Sequence, residues 1–238
     1  MRFYRPIHRP QAITFDLDDT LYDNRQVILT TVEKTHQALQ AWHPCLASIT
    51  TGDYDQARRE VELQTPAITH DMTAWRHAAL KKVMLQAGLS TQEAESGAAA
   101  VMAVFHQWRS AAHISPLTHQ VLAELATKVP LVAITNGNAD VEQLGIADYF
   151  TLVRRAGPDG RAKPAGDLYQ IAARGLSLSP NHILHVGDDL ITDVQGALIA
   201  GYQACWINDR QQNIATTRLA RLLPHLEISR LDSLTSLL

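Results

Sequence analysis

A short apolar run that ends in three acidic residues constrains the fold of this chain more than any other feature. The run is Ile13-Thr14-Phe15, and Asp16, Asp18 and Asp19 follow it. β-branched and aromatic residues of this kind are typical of a buried strand, so the acids are predicted to lie where the strand ends. In open α/β sheets, ligands bind at that end of a strand. Carboxylates packed so closely repel one another, which indicates a bound proton or a hard cation such as Mg²⁺.

The composition is that of an ordinary globular protein. With 238 residues, of which 46% are hydrophobic, the chain can form one large domain or a core with a smaller insertion. A net charge of −3 and scattered basic residues give no reason to expect nucleic-acid binding. The apolar runs are too short for a membrane span or a secretory signal, so we expect a cytoplasmic protein without a membrane partner. Cys45 and Cys205 lack a CxxC spacing and are predicted to be reduced thiols, and nothing implies a protein partner.

Between the first acids and about residue 115, the apolar pattern is helical and strand signals nearly vanish. We predict four amphipathic helices here, the last of them opening with a capping box at Ser90 and Glu93. Tyr22, Asp23 and Asn24, where this insertion starts, are expected to be ordinary loop residues. The side chains expected to face the core of the helical bundle are Ile28, Val32, Leu39, Trp42, Tyr54, Ala57, Val61, Met72, Trp75, Ala79, Val83, Ala94, Ala98, Val101, Phe105 and Trp108.

From Ser115 onward, helices alternate with short apolar strands, which indicates a parallel α/β sheet. Two of these strands end in polar residues, as the first strand does. The tail from about Leu222 is expected to add a short strand and a final helix. The predicted strands, with the polar residues that follow, are 131–134 before Thr135-Asn136-Gly137, 183–186 before Gly187-Asp188-Asp189, and 204–207.

The polar clusters supply the groups that phosphoryl transfer requires. Asp16 is the predicted nucleophile, and Asp18 is close enough to act as general acid and then as general base. Thr135 and Asn136 offer hydrogen-bond donors to phosphoryl oxygens. Lys163 supplies a positive charge for the same oxygens and for Asp16.

Three further acids complete the predicted site. Asp188 is expected to join the carboxylate shell of the cation. Asp193 is expected to orient metal-bound water or Lys163 without binding the cation itself. Asp189 is expected to lie beside it, without a defined role.

Each cluster also has a purely structural explanation when it is taken alone. The acids at 16 and 18 can cap a helix, Gly187-Asp188-Asp189 is a common turn, and Lys163 can be a solvated surface charge. Their joint occurrence, in this order and at strand ends, favours a catalytic site.

The clusters resemble the motifs of the haloacid dehalogenase superfamily of phosphohydrolases, which occur in the same order. This resemblance implies an α/β fold with a Rossmann-like, doubly wound parallel sheet and a helical C1 cap inserted after the first strand. The core is then 1–21 plus 116–238 and the cap is 22–115. The matching residues are Asp16-Leu17-Asp18-Asp19-Thr20, Thr135-Asn136-Gly137, Lys163-Pro164, and Gly187-Asp188-Asp189 with Asp193.

The resemblance also implies a phosphoaspartate at Asp16 and Mg²⁺ held by Asp16, Asp188 and the backbone carbonyl of Asp18. A small phosphorylated metabolite is the expected ligand. The residues expected to contact it are Asp16, Leu17, Asp18, Thr135, Asn136 and Lys163.

More narrowly, segments 1–6, 155–158 and 222–231 are similar to enterobacterial phosphatases linked to riboflavin synthesis. This similarity implies 5-amino-6-(5-phospho-D-ribitylamino)uracil and flavin mononucleotide (FMN) as substrates. The alternatives are a generalist phosphatase of sugar phosphates and nucleotides, a phosphomutase, a dehalogenase and a phosphate-sensing receiver-like module. Asp18 argues against a dehalogenase, because carbon–halogen cleavage needs no second acid. The helical insertion would be superfluous in a receiver module.

Overall fold

The computed structural model describes residues 1–217 and 221–238, and in this part of the chain seven strands form one sheet. The strand order is β1-β7-β6-β5-β2-β3-β4. Every pairing is parallel except that of β1 with β7. The strands are β1 (Arg2–Phe3), β2 (Ala12–Phe15), β3 (Leu131–Thr135), β4 (Leu152–Arg155), β5 (Ile183–Gly187), β6 (Gln203–Ile207) and β7 (Leu226–Ile228).

The central strands are buried on both faces, which is why their sequences are continuous apolar runs. Ile13 and Phe15 of β2 enter one apolar cluster, which contains Leu122 of the helix after the cap. Ala12 of β2 enters a second cluster, which contains Tyr169 of the following helix. Because successive residues of a strand point to opposite faces, the sheet carries a helical layer on each side. This confirms the predicted α/β class with a doubly wound sheet.

Seven α-helices surround or extend this sheet in the described residues. A π-helical turn, Leu190–Gln195, precedes the last of them, and 3₁₀ turns occupy Pro44–Leu46, Pro66–His70, Ala147–Tyr149, Pro180–His182 and Leu231–Leu237. None of these helices is both long enough and apolar enough to cross a membrane. The helices are α1 (Arg25–Trp42), α2 (Thr51–Gln64), α3 (Met72–Gln86), α4 (Thr91–Arg109), α5 (Pro116–Ala126), α6 (Asp167–Leu176) and α7 (Gly196–Ile199).

Two strands at the edges of the sheet were missing from the sequence prediction. β1 has only two residues and pairs through its backbone, so no hydrophobic pattern marks it. β4 contains Arg154 and Arg155 and is half-buried, so it lacks the apolar run that marks the central strands. The tail does add a strand, β7, but the predicted final helix is the 3₁₀ segment Leu231–Leu237.

Helices α1 to α4 pack around an apolar cluster of their own, which includes Leu39, Leu80, Ala98 and Phe105. The capping box at Ser90 is present, because the Ser90 hydroxyl accepts from the Glu93 N–H and the Glu93 carboxylate accepts from the Ser90 N–H. A separate core and a separate set of helix caps support the division into a cap of 22–115 and a core, which we retain as a proposal.

The predicted buried face of α1 was partly wrong. Val32 and Trp42 are exposed, and the buried positions are Thr31, Thr35 and Leu39. The two threonines tolerate burial because their hydroxyls donate to backbone carbonyls one turn earlier in the same helix. Trp108 of α4 is only half-buried, and the Lys34 ammonium lies 5.6 Å from its ring centre.

The sheet order brings the predicted motifs together. β2 lies between β3 and β5, and Phe15 at its end pairs with Ala133 on one side and Val186 on the other. Since the three strands are parallel, the residues that follow them emerge at the same edge of the sheet.

Candidate active site

Lys163 lies at the centre of the polar residues at this edge. Its side chain is buried, and Nζ donates to Asp16 Oδ1 at 2.6 Å, to Asp193 Oδ1 at 2.6 Å and to the Ile134 carbonyl at 2.9 Å. Burial alone would lower the pKa of Lys163, but the two carboxylates raise it above its ordinary value. The ammonium is therefore fully charged and fixed in position, which a solvated surface lysine would not be.

Asp193 accepts a hydrogen bond from Lys163 and is itself held by two neighbouring groups. Its Oδ2 accepts the Asp189 N–H at 3.0 Å, and His185 Nε2 lies 3.2 Å from Oδ1. Because an ionised carboxylate can only accept, His185 Nε2 donates and its Nδ1 accepts from the Thr14 hydroxyl at 2.8 Å. Burial would raise the pKa of Asp193, but Lys163 and His185 hold it far below the ordinary value.

Asp16, Asp188 and Asp193 each place one carboxylate oxygen within 4.8 Å of the others. Burial raises the pKa of Asp16 well above its ordinary value despite the nearby Lys163. Burial, followed by the charges of Asp193 and Asp19, raises the pKa of Asp188 to about 7. The site therefore carries more negative charge than Lys163 neutralises, and its hard carboxylate oxygens are the donors that Mg²⁺ prefers. The donor set fits this ion.

Thr135 is the last residue of β3 at this edge, and Asn136 follows it in the loop. The Thr135 hydroxyl accepts the Gly137 N–H at 2.9 Å and is buried. The Asn136 side chain donates to the Lys163 carbonyl at 2.9 Å and accepts the Lys163 N–H at 2.7 Å. Its amide therefore positions the segment that carries Lys163. Leu17 packs its side chain into the core, so only its backbone is available to a ligand.

Asp18 is held by two side chains that lie outside the predicted set. The Tyr22 hydroxyl donates to Asp18 Oδ1 at 2.6 Å, and the Arg109 guanidinium donates to Asp18 Oδ2. Arg109 ends α4, is buried, and also donates to Asn24 Oδ1 at 3.2 Å. Tyr22 and Asn24 do lie in the connection before α1, as expected, but their contacts with Asp18 and Arg109 link that connection to the site. The spacing of Phe105 and Arg109, four residues apart on a helix, puts both on one buried face and is the signal that points to Arg109.

At Gly137, the loop after β3 packs closely against the side chains of Asp18 and Arg109. A Cβ added there would lie 2.5 Å from Asp18 Oδ2 and 2.9 Å from Arg109 Nη2. Only glycine permits this approach. Asp189, by contrast, caps the following turn, because its Oδ1 accepts the N–H groups of Ile191 at 2.8 Å and Thr192 at 2.7 Å.

Comparison with known proteins gives a consistent family. A haloacid dehalogenase-like hydrolase family model matches residues 10–201. The chain is 53% identical over 238 residues, the full length of both proteins, to the 5-amino-6-(5-phospho-D-ribitylamino)uracil phosphatase YigB of Escherichia coli (strain K12). It is 28% identical to the N-acylneuraminate-9-phosphatase of Homo sapiens, covering 98% of this chain and 95% of that protein.

A solved structure described as a 2-haloacid dehalogenase from Pseudomonas syringae pv. Tomato DC3000 superposes with a TM-score of 0.90 at 32% identity. It covers 96% of this chain and 97% of that one. The similarity thus extends over both the sheet and the helical insertion.

Proposed function

The chain belongs to the haloacid dehalogenase-like hydrolase family, and on that premise we propose that it hydrolyses small phosphomonoesters through a phosphoaspartate at Asp16. The observation that carries this proposal is the contact of Lys163 Nζ with Asp16 Oδ1 at 2.6 Å, beside the carboxylate of Asp188. A buried nucleophile next to a fixed cation is what attack on an anionic phosphoryl group requires.

The preferred substrate in this proposal is 5-amino-6-(5-phospho-D-ribitylamino)uracil, with FMN as a second substrate. The full-length similarity to YigB supports it. FMN carries the same phosphorylated ribityl chain attached to a ring system, so one site can accept both. A generalist acting on sugar phosphates and nucleotides is the alternative, and a flat activity profile would reveal it.

In the first half-reaction, Asp16 attacks phosphorus. Because Lys163 occupies Asp16 Oδ1, Oδ2 is the oxygen that forms the new bond to phosphorus. The ester bond to the leaving oxygen breaks, and Asp18 gives that oxygen its proton. Thr135, the backbone after β3 and Lys163 stabilise the phosphoryl oxygens as their charge shifts.

In the second half-reaction, water attacks the phosphoaspartate. Asp18 takes the proton of the water, phosphate leaves and the Asp16 carboxylate is restored. Tyr22 and Arg109 bind the two oxygens of the Asp18 carboxylate and so limit its movement between the two steps. Asp16, Asp188 and the Asp18 backbone carbonyl would hold Mg²⁺, whose charge would offset the excess negative charge of the site and reduce the repulsion between Asp16 and the incoming anion.

A dehalogenase is the second candidate, because the structure from Pseudomonas syringae carries that description. Displacement of halide from carbon by Asp16 needs neither a proton donor nor a cation. Here Asp18 has two dedicated partners and Asp188 faces Asp16, which favours phosphoryl transfer. A phosphomutase would use the same core but would return the phosphoryl group to substrate.

Product analysis separates these reactions. We expect the purified protein with Mg²⁺ to release inorganic phosphate from FMN and from p-nitrophenyl phosphate, and to release no halide from 2-chloropropionate. Asp16→Asn should abolish phosphate release, whereas Asp209→Asn, an exposed acid on the surface, should retain it. Halide release without phosphate release, or full activity in Asp16→Asn, would refute the proposal.

A further inference from the structure

Arg76 is a charged side chain without a counter-ion inside the helical cap. Its guanidinium lies 4.1 Å from the ring centre of Phe105, and Nη1 donates to the Tyr54 hydroxyl at 3.2 Å. Its Nε is buried and has no hydrogen-bond partner. In residues 1–217 and 221–238, no carboxylate forms an ion pair with it.

The surroundings make this arrangement unfavourable for the free protein. Burial lowers the pKa of Arg76, and the like charges of Arg58 and Arg109 lower it further. Stacking on Phe105 compensates only part of the cost of burying the charge. It supplies no acceptor for the buried Nε, and a buried donor without a partner is destabilising, more so when it belongs to a charged group. The buried Nε of Arg76 therefore lacks a hydrogen-bond acceptor that a bound ligand could supply.

A cavity of about 130 Å³ adjoins Arg76 and separates α1 from α2 and α3. Besides Arg76, its polar lining consists of Thr35, His36, Thr51, Tyr54, Asp55 and Arg58, and the Asp55 carboxylate forms no ion pair with Arg76. For comparison, an apolar protein cavity of about 150 Å³ accommodates benzene. The space beside Arg76 therefore suits one planar ring with polar substituents, either a single ring or the terminal pyrimidinedione ring of a flavin whose other rings lie outside the cavity.

The cavity is close to the catalytic edge. Phe105 and Arg109 are four residues apart on α4, about 6 Å along the helix axis. Arg76 stacks on Phe105, and Arg109 binds Asp18. Arg76 thus lies about one helical turn above the pair formed by Arg109 and the acid that protonates the leaving oxygen.

We propose that Arg76, with Tyr54 beside it, recognises the ring of the leaving group, and that this ring is a planar heterocycle bearing carbonyl oxygens, such as a pyrimidinedione. This inference rests on the proposed function. Guanidinium presents its donors in a planar fork, which matches adjacent in-plane acceptors better than a lysine ammonium does. Carbonyl oxygens of the ring would supply the acceptor that Nε lacks.

Paired substrates test this assignment. FMN contains the ring and p-nitrophenyl phosphate lacks its carbonyl groups. We expect Arg76→Met to lower kcat/KM for FMN about 10- to 100-fold, mainly through KM, because a charge-assisted hydrogen bond is lost. The value for p-nitrophenyl phosphate should stay within about twofold, since the phosphoryl site is unchanged. Tyr54→Phe, which keeps the packing, should give a smaller loss in the same direction.

Arg59→Met is the matched control, because Arg59 is an exposed arginine on α2. The inference is overturned if Arg76→Met and Tyr54→Phe slow both substrates equally, or slow neither. It is also overturned if the loss specific to FMN appears only in Thr73→Val. Thr73 lines a different cavity, of about 430 Å³, between α3 and the loop after β3.

Riboflavin binding separates this inference from the proposed function. Riboflavin has the ring and the ribityl chain but no phosphate, so its flavin fluorescence can be titrated with enzyme without turnover. Binding to the parent that weakens about tenfold in Arg76→Met supports the inference even if FMN is not hydrolysed. Absence of riboflavin binding, or equal binding to both proteins, refutes it.

Discussion

At the scale of single residues, the most informative contact is the one between Asp18 and Arg109. The two residues are 91 positions apart in the sequence, and Arg109 is the last residue of α4. The sequence motif indicated Asp18 but gave no indication of its partners. The Asp18 motif is recognisable because it follows a strand, whereas the helical spacing marks Arg109 only as buried, and its pairing with Asp18 becomes visible only when the helix packs onto the sheet.

Replacing Arg109 with Met should impair catalysis. The variant removes a donor that orients Asp18, so we expect kcat with p-nitrophenyl phosphate to fall about tenfold or more, in the range for loss of acid–base positioning. Steady-state kinetics and circular dichroism on the same samples measure activity and folding. Arg25→Met removes an exposed arginine that pairs with Asp23 and should retain parental kcat. Equal kcat for Arg109→Met and the parent would contradict the role of Arg109.

His225 should make folding sensitive to pH. Burial, followed by the charges of Arg5 and His8, lowers its pKa, and its Nδ1 accepts the Ala204 N–H at 3.1 Å. Between the lowered value and the ordinary value near 6.5, the unfolded chain takes up the proton first. The free energy of unfolding should therefore decrease as the pH falls below about 6.5, by less than about 1 kcal/mol because the ring is only half-buried.

His225→Asn isolates this contribution, because an amide oxygen can accept the same N–H without titrating. Urea unfolding at pH 7.5 and pH 5.5 should show a smaller decrease in the variant than in the parent. An identical decrease in both proteins would show that His225 does not contribute.

At the scale of elements, the strands that carry the site were predictable and the edges of the sheet were not. β2, β3 and β5 are apolar throughout because helices cover both faces, so hydrophobicity alone locates them. β4 pairs through backbone groups and carries two arginines, so its sequence has no such signal. The face of α1 was mispredicted for a related reason, since Thr31 and Thr35 satisfy their hydroxyls locally and behave as buried small residues.

The end of β5 has no room for a side chain at Gly187. A Cβ there would lie 2.3 Å from Asp193 Cγ, so Gly187→Ala must displace the carboxylate that holds Lys163. We expect a loss of about 1–3 kcal/mol in stability, typical of overpacking, together with reduced kcat.

Gly52→Ala is the matched substitution, because Gly52 lies in α2 and its added Cβ would meet Thr50 Oγ1 at 3.4 Å, an ordinary contact. It should be neutral or slightly stabilising, since alanine favours a helix. Thermal unfolding and p-nitrophenyl phosphate kinetics compare the two. A fully stable and active Gly187→Ala would show that Asp193 can move without consequence.

At the scale of the whole molecule, the acids of the site follow strands of the sheet, whereas Arg76 lies in the inserted helices. The acids and Lys163 were predictable from the motifs, and strand order brings the acids together. The surroundings of Arg76 depend on how α2, α3 and α4 pack, which periodicity does not specify. Selectivity for the leaving group therefore has to be tested in the helical part, independently of the phosphoryl chemistry.

Mg²⁺ should stabilise the folded protein. The carboxylates of Asp16 and Asp188 repel each other and Asp193, and a cation relieves that repulsion only in the folded state. We expect Mg²⁺ to raise Tm in differential scanning fluorimetry and EDTA to reverse the shift and stop phosphate release. Asp188→Asn should show a much smaller shift. Equal shifts in the parent and in Asp188→Asn would remove Asp188 from the cation site.

The Lys163 ammonium donates to three acceptors, which are Asp16, Asp193 and the Ile134 carbonyl. Asp193 and the Ile134 carbonyl bind the ammonium independently of Asp16, so two of its three contacts would be unchanged in the proposed phosphoaspartate at Asp16. The positive charge can therefore keep its place whether Asp16 is free or carries the phosphoryl group, and the surrounding dipoles need not reorganise between the two halves of turnover.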